Sequence, residues 1–435
     1  MNKFIIKNTI KQDLEELKNE DFVKFIIENN QSEKNVAADT TLIIDDVKKN
    51  GDAALIKYAN KFDQTDFKSP KDLLVTKDEI AKAVKILDKD IKKSLDLAYK
   101  RIKDYHKKQL PKDFTYTDKI GVKLGNIWKN IEKIGVYTPG GTASYPSSVL
   151  MSSVPAIVAG VKNIVMCAPT SKGKMNPAVL YAAKICGIKE IYKVGGASAI
   201  AALTYSTGIV KKVNKIVGPG NAYVAEAKRT LFGEVGIDMI AGPTDITIIA
   251  DKHANPSWIA ADALSQLEHG RDSKAFIITD NEEFADKIIQ NIENLSKNLS
   301  RKAIIDESIK NSAIFVIKNL NDASKIANFI APEHLEISTK SPDKFLKKIQ
   351  NAGAIFLGNY APESLGDYIA GPSHTLPTNS SAKFSSGLSV YDFLKRISVI
   401  CADEKSFKKL AKQTSLLAKC EGLDAHKLSI DIRND

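Results

Sequence analysis

Cysteine is scarce: the 435 residues hold four, Cys167, Cys186, Cys401 and Cys420. No C-x-x-C pair exists, which excludes a disulfide framework, a zinc knuckle and a dithiol redox site, and points to a reducing compartment. Arginine is rare for so basic a chain. Of 63 Lys and Arg residues only Arg101, Arg229, Arg271, Arg301, Arg396 and Arg433 are arginine, and the lysines are dispersed. The net charge of +11 therefore reads as composition, not as a nucleic-acid-binding patch. An unbroken apolar run is missing too. The one uncharged stretch long enough to cross a bilayer, Ile134 to Val161, is interrupted by Pro139, Gly140, Gly141, Pro146 and Pro155 and reads as a buried, ligand-lining segment. Charges flank the short apolar stretch Phe4 to Ile6, and no secretory h-region follows. The expectation is a cytoplasmic protein with neither membrane nor nucleic acid as partner. No G-x-S-x-G, H-E-x-x-H or Walker loop occurs, which removes the common serine hydrolase, zincin and P-loop readings.

What is present is a texture that changes along the chain. Up to about residue 130 the pattern is charged and amphipathic, with helical spacing over Val36 to Lys61 and Glu79 to Lys108. From about residue 134, short β-branched runs alternate with Ala-rich helical segments. Asn163 to Ala168, Glu190 to Val194 and Lys215 to Val217 read as strands, followed by helices Asn176 to Cys186, Ser198 to Ser206 and Ala222 to Phe232. A second series has strands near Ile246 to Ala250, Ala275 to Thr279, Ala313 to Ile317, Leu335 to Ser338 and Ala354 to Leu357, with a helix over Pro256 to Glu268. This is the βαβ signature of parallel sheets with right-handed crossovers, hence an α/β fold. The tail reads as a helix, Glu404 to Lys419, and a short alternating strand, Leu428 to Ile432.

Ligands of open α/β sheets sit at the carboxyl ends of the strands. The turns to inspect are Gly195-Gly-Ala-Ser198, Gly218-Pro-Gly-Asn221 and Ala241-Gly-Pro-Thr-Asp245. Backbone amides exposed by Gly at a helix start can receive the phosphates of a dinucleotide, although the same glycines equally suit tight turns. The chain has six His, and His269, His334, His374 and His426 lie in or beside segments rich in Gly, Pro and acids. Gln266 and His269 are spaced i, i+3 at the end of a helical pattern, as a metal-holding amide and imidazole or as an ordinary helix terminus capped by Gly270. Glu333 and His334 set an acid beside a base ahead of a strand, suited to proton transfer or to a solvated turn. A Gly/Pro-rich loop carries Glu363, Asp367 and His374, and Glu421 precedes His426 near the C-terminus. A metal here would be held by imidazole, carboxylate and amide, compatible with zinc, manganese or cobalt.

In this order, Gly135-Val-Tyr-Thr-Pro-Gly-Gly141, Val217-Gly-Pro-Gly-Asn221, Ile237-Asp-Met-Ile-Ala-Gly-Pro243, Leu264-Ser-Gln-Leu-Glu-His269, Ala331-Pro-Glu-His334, Pro362-Glu-Ser-Leu-Gly-Asp367 and Glu421-Gly-Leu-Asp-Ala-His426 resemble the histidinol dehydrogenase family, which performs the last two oxidations of histidine biosynthesis. The resemblance runs from about Ile134 to Arg433. It implies one Zn²⁺ per subunit on Gln266, His269, Asp367 and His426, with the imidazole and amino nitrogens of L-histidinol completing the shell. It implies His334 as the base that takes the alcohol proton and Glu333 as the group that activates water on the aldehyde. Thr244, His374 and Glu421 fall at substrate-binding positions, as do the metal ligands and His334, while Tyr137, Ser198 and Asn221 fall at positions that contact NAD. The family is a homodimer whose C-terminal segment reaches the partner's site, so His426 and Glu421 are expected to complete the other subunit's pocket.

The expected architecture has two Rossmann-like parallel-sheet domains with small helical extensions at both ends. These comprise a helical N-terminal extension (1–30), a larger discontinuous domain (31–133 and 246–388), an inserted Rossmann-like domain (134–245) and a C-terminal module (389–435). Three departures from the family pattern stand out: Thr244-Asp245 where Ser-Glu is usual, Ser198 where Gln is usual, and Arg271 where Pro is common. The first two leave open a related zinc- and NAD-dependent dehydrogenase of another small alcohol. A basic binding protein on a retired enzyme fold is the alternative from another class, and the full set of metal and acid/base residues speaks against it.

Overall fold

The structure, a computed structural model, describes every residue except 8–9, 11–13, 18–19, 30–35, 141–144 and 435. Gly141, the last residue of the first matched motif, lies outside the described residues. In chain order the strands are β1 (Asn2–Ile6), β2 (Phe114–Thr117), β3 (Lys123–Asn130), β4 (Lys133–Tyr137), β5 (Asn163–Cys167), β6 (Glu190–Tyr192), β7 (Lys215–Val217), β8 (Gly236–Ile237), β9 (Asp245–Ala250), β10 (Lys274–Thr279), β11 (Ala313–Ile317), β12 (His334–Ser338), β13 (Ala354–Leu357) and β14 (Leu394–Cys401).

They form a six-stranded sheet ordered β1-β11-β10-β9-β12-β13, a five-stranded sheet ordered β6-β5-β4-β7-β8 and a three-stranded sheet ordered β14-β3-β2. The two larger sheets are parallel throughout, and the small one is antiparallel. Every residue of β9, β10 and β11 is buried. Such unbroken apolar runs belong to strands covered by helices on both faces. The α/β expectation therefore holds, with two parallel sheets.

Residues 2–6, expected within a helical extension, instead form β1, paired in parallel with β11 from Asn2↔Ala313 to Ile6↔Ile317. The segment is too short to display a period of its own. It is fixed by its partner, with Phe4 ring-stacked at 5.7 Å on Phe315. The pattern over Val36 to Lys61 resolves into two helices, Ala37–Asn50 and Asp52–Phe62, because Gly51 turns the chain at φ +53°. The pattern over Glu79 to Lys108 likewise divides into Lys77–Ile86 and Lys89–Lys107, where Asp88 caps the second helix by accepting from the N–H groups of Asp90 and Ile91.

The helices of residues 37–107 pack on the five-stranded sheet. Ile43, Ile44 and Leu55 share a core with Val165, Ile200 and Leu203, and Leu95 and Ile102 share one with Leu150 and Met151. At the C-terminus, Leu428 to Ile432 is not a strand. Asp424–Asp431 is a helix, tied by Lys427 to Asp431 one turn on and by Ser415 Oγ, which donates to Asp431 at 2.7 Å. Five residues of alternation do not outweigh a helical i, i+4 ion pair. No helix among the described residues is long and apolar enough to cross a membrane.

Candidate active site

The six-stranded sheet changes winding direction between β9 and β12. Its polar residues gather at the amino ends of those strands, not at the carboxyl ends where the sequence directed attention. Thr244 immediately precedes β9, and His334 opens β12, in register with Ile246 on one side and Ala354 on the other. The turn into β12 is forced by Ala331, a non-glycine residue in the left-handed region at φ +50°. Such a conformation costs about 1–3 kcal/mol and persists only where its surroundings fix it.

Gln266 is fully buried on the helix Pro256–Leu267. Its Nε2 donates to Thr244 Oγ1, whose hydroxyl in turn donates to Glu333 Oε2. Gln266 Oε1 is left buried without a partner. His334 accounts for only one of its ring nitrogens: Nδ1 lies 3.2 Å from the Asp245 carbonyl oxygen, so Nδ1 carries the proton and Nε2 the lone pair. Nε2 is buried and unpartnered, 3.9 Å from Glu363 Oε1 and 4.0 Å from Asp367 Oδ1. Burial drives the His334 pKa down to about 3, so the imidazole is a neutral acceptor at neutral pH.

His269, just past the helix end, joins Glu363 and Asp367 in a group whose potential ligand atoms all lie within 4.8 Å of one another. The C-terminal end of the helix directs carbonyl dipoles toward this group, which favours a cation. The surrounding carboxyl groups press the same way. Desolvation raises Glu363 to about 8 and Asp367 and Asp262 to about 6, and holds Glu333 and Glu336 well above the usual range. Glu336 lies beneath this cluster, accepting from the Glu363 backbone N–H at 2.7 Å. So many buried acids lower their free energy by taking up protons or a divalent cation. A cavity of about 560 Å³ reaches His334, Asp367, His374 and the Gly353-Ala354 backbone, large enough for a small polar substrate.

The remaining candidates fall in three places. His374 is half-buried, with Nδ1 3.0 Å from the Asp367 carbonyl oxygen and Nε2 3.2 Å from Ser148 Oγ. Both nitrogens are engaged, so it braces the short helix Glu363–Tyr368 that carries Asp367. Tyr137 ends β4, and its hydroxyl accepts from Gly196 N–H at 3.1 Å. Ser198 turns its hydroxyl back onto the Gly195 carbonyl at 2.8 Å. Asn221 caps the helix Ala222–Leu231 through the Val224 N–H. These last three belong to the five-stranded sheet, beside turns that only glycine fits: a Cβ on Gly218 would lie 2.0 Å from the Tyr137 carbonyl oxygen, and one on Gly195 2.5 Å from Pro169 Cβ. His426, on the helix Asp424–Asp431, and Glu421, in the turn before it, are exposed and do not join the His269 group within the described chain.

Glu363 was visible in the sequence only as a loop acid and Asp245 only as a departure from the family's usual Glu, while Asp262 and Glu336 were not singled out. Glu363 and Asp367 are spaced i, i+4, one face of a helix, and that spacing was the available signal. Asp262 and Glu336 had none, since only packing of the helix Pro256–Leu267 on β9, the neighbour of β12, brings them together.

Comparison with known proteins gives the family. Residues 27–434 match the family model described as histidinol dehydrogenase. The chain is 49% identical over 413 residues to the histidinol dehydrogenase of Agrobacterium fabrum, covering 95% of each chain. It is also 49% identical to that of Bradyrhizobium diazoefficiens, covering 95% and 96%. The crystal structure of histidinol dehydrogenase from Elizabethkingia anophelis superposes with a TM-score of 0.91 at 35% identity, over 100% of this chain and 98% of that one. With the family matched along nearly the whole chain, the protein belongs to the histidinol dehydrogenases, oxidoreductases of histidine biosynthesis.

Proposed function

We propose that this oxidoreductase converts L-histidinol to L-histidine through histidinaldehyde, in a four-electron oxidation that uses one Zn²⁺ per subunit and two NAD. The observation that carries the reading is the unpartnered Nε2 of a neutral His334, facing Glu363 and Asp367 at the cavity. The residues fit a cation: Gln266 Oε1 is an orphaned buried oxygen, and His269, Asp367 and Glu363 supply nitrogen and oxygen donors within one small space. His426 would come from the partner subunit, in a homodimer with shared sites. The glycine turns beside Tyr137, Ser198 and Asn221 fit a dinucleotide, and we assign its binding to residues 134–245. When bound, the metal supplies positive charge that orients the substrate nitrogens, and the dinucleotide supplies the hydride acceptor.

The chain's own groups then divide the work. His334 Nε2 accepts the proton of the substrate hydroxyl as the carbon loses hydride. Glu333 takes a proton from the water that adds to the aldehyde, and His334 serves again as the hydrate loses its second hydride. Holding the aldehyde in the cavity keeps a reactive carbonyl from side reactions. His374 keeps the helix that carries Asp367 in place, and Glu421 of the partner subunit suits the cationic amino alcohol. Four unpaired cysteines accord with a cytoplasmic setting.

Thr244 and Ser198, where the family usually has Ser and Gln, keep a related dehydrogenase of another small alcohol as the second reading. The test is NADH formed per L-histidinol consumed by zinc-loaded protein in excess NAD⁺, beside a chelated control. The expected result is about two NADH per histidinol, lost on chelation; a folded, zinc-bound protein that leaves histidinol untouched would transfer the assignment to another alcohol.

A further inference from the structure

We infer that the helix Pro146–Val158 sets the geometry of the metal site through the segment Ser373-His374, with Ser148 and Pro155 as positioning residues. The inference rests on the zinc reading above. One side of this helix belongs to the five-stranded sheet, since Val149, Leu150 and Val154 share a core with Ile134 and Val136 of β4. Elsewhere the helix meets the segment that follows the metal-site helix Glu363–Tyr368. Two contacts join them, both leaving the helix within one turn. Ser148 Oγ is 3.2 Å from His374 Nε2, and the Met151 carbonyl accepts from Ser373 Oγ at 3.3 Å.

The Met151 contact follows from Pro155. In an unbroken helix the Met151 carbonyl would receive the N–H of residue 155, one turn on. Proline has no N–H, and its ring crowds that carbonyl. Pro155 lies inside the helix, so the carbonyl is released, and Ser373 Oγ supplies the donor that the helix lacks. The Ser148 contact continues to a proposed metal ligand. His374 Nδ1 lies 3.0 Å from the Asp367 carbonyl oxygen, which can only accept, so Nδ1 holds a proton and both edges of the ring are tied. The imidazole is thereby a spacer between Ser148 and the backbone of Asp367. Ser148 is 2% exposed, so water does not replace its hydroxyl. Without that hydroxyl the ring is free to turn, and the Asp367 backbone loses its fixed partner. The helix that carries Asp367 has six residues, too few internal bonds to hold a ligand rigidly by itself.

The experiment uses the full-length protein stripped of metal. Zinc affinity is measured by competition with a chromophoric chelator, beside the absorption spectrum of the Co²⁺-loaded form and thermal melting of the metal-free form. Ser148→Ala should bind zinc about tenfold more weakly with an altered Co²⁺ spectrum, and Ser148→Thr, which keeps the hydroxyl, should come within about threefold of the parent. Ser373→Ala and Pro155→Ala should each weaken zinc by about threefold to tenfold. Their double variant should bind zinc no more weakly than the worse single one, because both act on the Met151 carbonyl. Ser373→Ala carries the test if another variant does not fold. Contacts that serve packing alone would lower the melting midpoint and leave zinc affinity and the Co²⁺ spectrum as in the parent. That result in Ser148→Ala and Ser373→Ala would overturn the inference, as would a double variant whose losses add. If the parent protein itself took up no zinc, the zinc reading would fail, and this inference with it.

Discussion

Lys228 offers the sharpest test of how the Gly218 turn is built. Its side chain is 2% exposed and that of Asp238 is fully buried, with Nζ 2.6 Å from Asp238 Oδ1. Nζ also donates to the Gly218 carbonyl at 2.5 Å. Asp238 in turn accepts from the backbone N–H groups of Gly218 and Met239, each at 2.7 Å. The pair therefore grips both sides of Gly218, the residue whose approach to Tyr137 admits no side chain. Lys228→Met removes the cation while preserving the length of the stem. It leaves a buried carboxylate without countercharge and orphans a carbonyl oxygen. Breaking one side of a buried pair costs about 3–5 kcal/mol, and the lower end applies because Asp238 keeps two N–H partners. If the unit around the five-stranded sheet, about 200 residues, unfolds with about 2 cal/mol/K per residue, its melting entropy is about 0.4 kcal/mol/K. A loss of about 3 kcal/mol then lowers the midpoint by about 7 °C. Circular dichroism melts of metal-free protein read this directly. Adding Asp238→Asn removes the stranded charge and should restore about half the loss. A drop below about 2 °C for Lys228→Met, or a double variant less stable than the single one, would refute the reasoning.

Other perturbations address the site and the fold. His334→Gln keeps a hydrogen-bonding side chain but no base, and should lower kcat about 10²–10⁴-fold with little change in histidinol binding; an unchanged kcat rejects His334 as the base. Asp63 has its carboxyl raised by burial to about 6, and one oxygen accepts only the Thr170 N–H. Its folded-state pKa lies above the unfolded value, so its favourable contribution is full below about pH 4 and lost as pH rises through about 6. Asp63→Asn should therefore stabilise the protein at pH 8 and make no difference at pH 4, and equal melting shifts at the two pH values would contradict this. Mixed dimers of inactive Asp367→Ala and His426→Ala subunits should recover part of the activity if the C-terminal helix serves the partner's site. No recovery would favour a site built within one chain.

Much of this was legible beforehand because parallel sheets write themselves locally. Buried β-branched runs such as Ala313 to Ile317 and Ala-rich crossover helices need no knowledge of partners to be read. The matched motifs likewise named Gln266, His269, Glu333, His334 and Asp367 before any geometry was known. What escaped depends on distant partners. β1 is a strand because β11 offers it an open edge, and the helix at Asp424–Asp431 wins over a brief alternation through contacts with the helix before it.

The sequence by itself determined the α/β class, the family and the chemical identity of the acid, base and ligand candidates, since each follows from residue type and short-range order. Tertiary structure alone decided which of these atoms are free. It closed Ser198 onto Gly195, engaged both nitrogens of His374, linked Thr244 to Gln266 and Glu333, and left His334 Nε2 and Gln266 Oε1 buried without partners. Hydrogen-bond capacity is spent between residues far apart in the chain, so only the folded arrangement reveals what remains for a ligand.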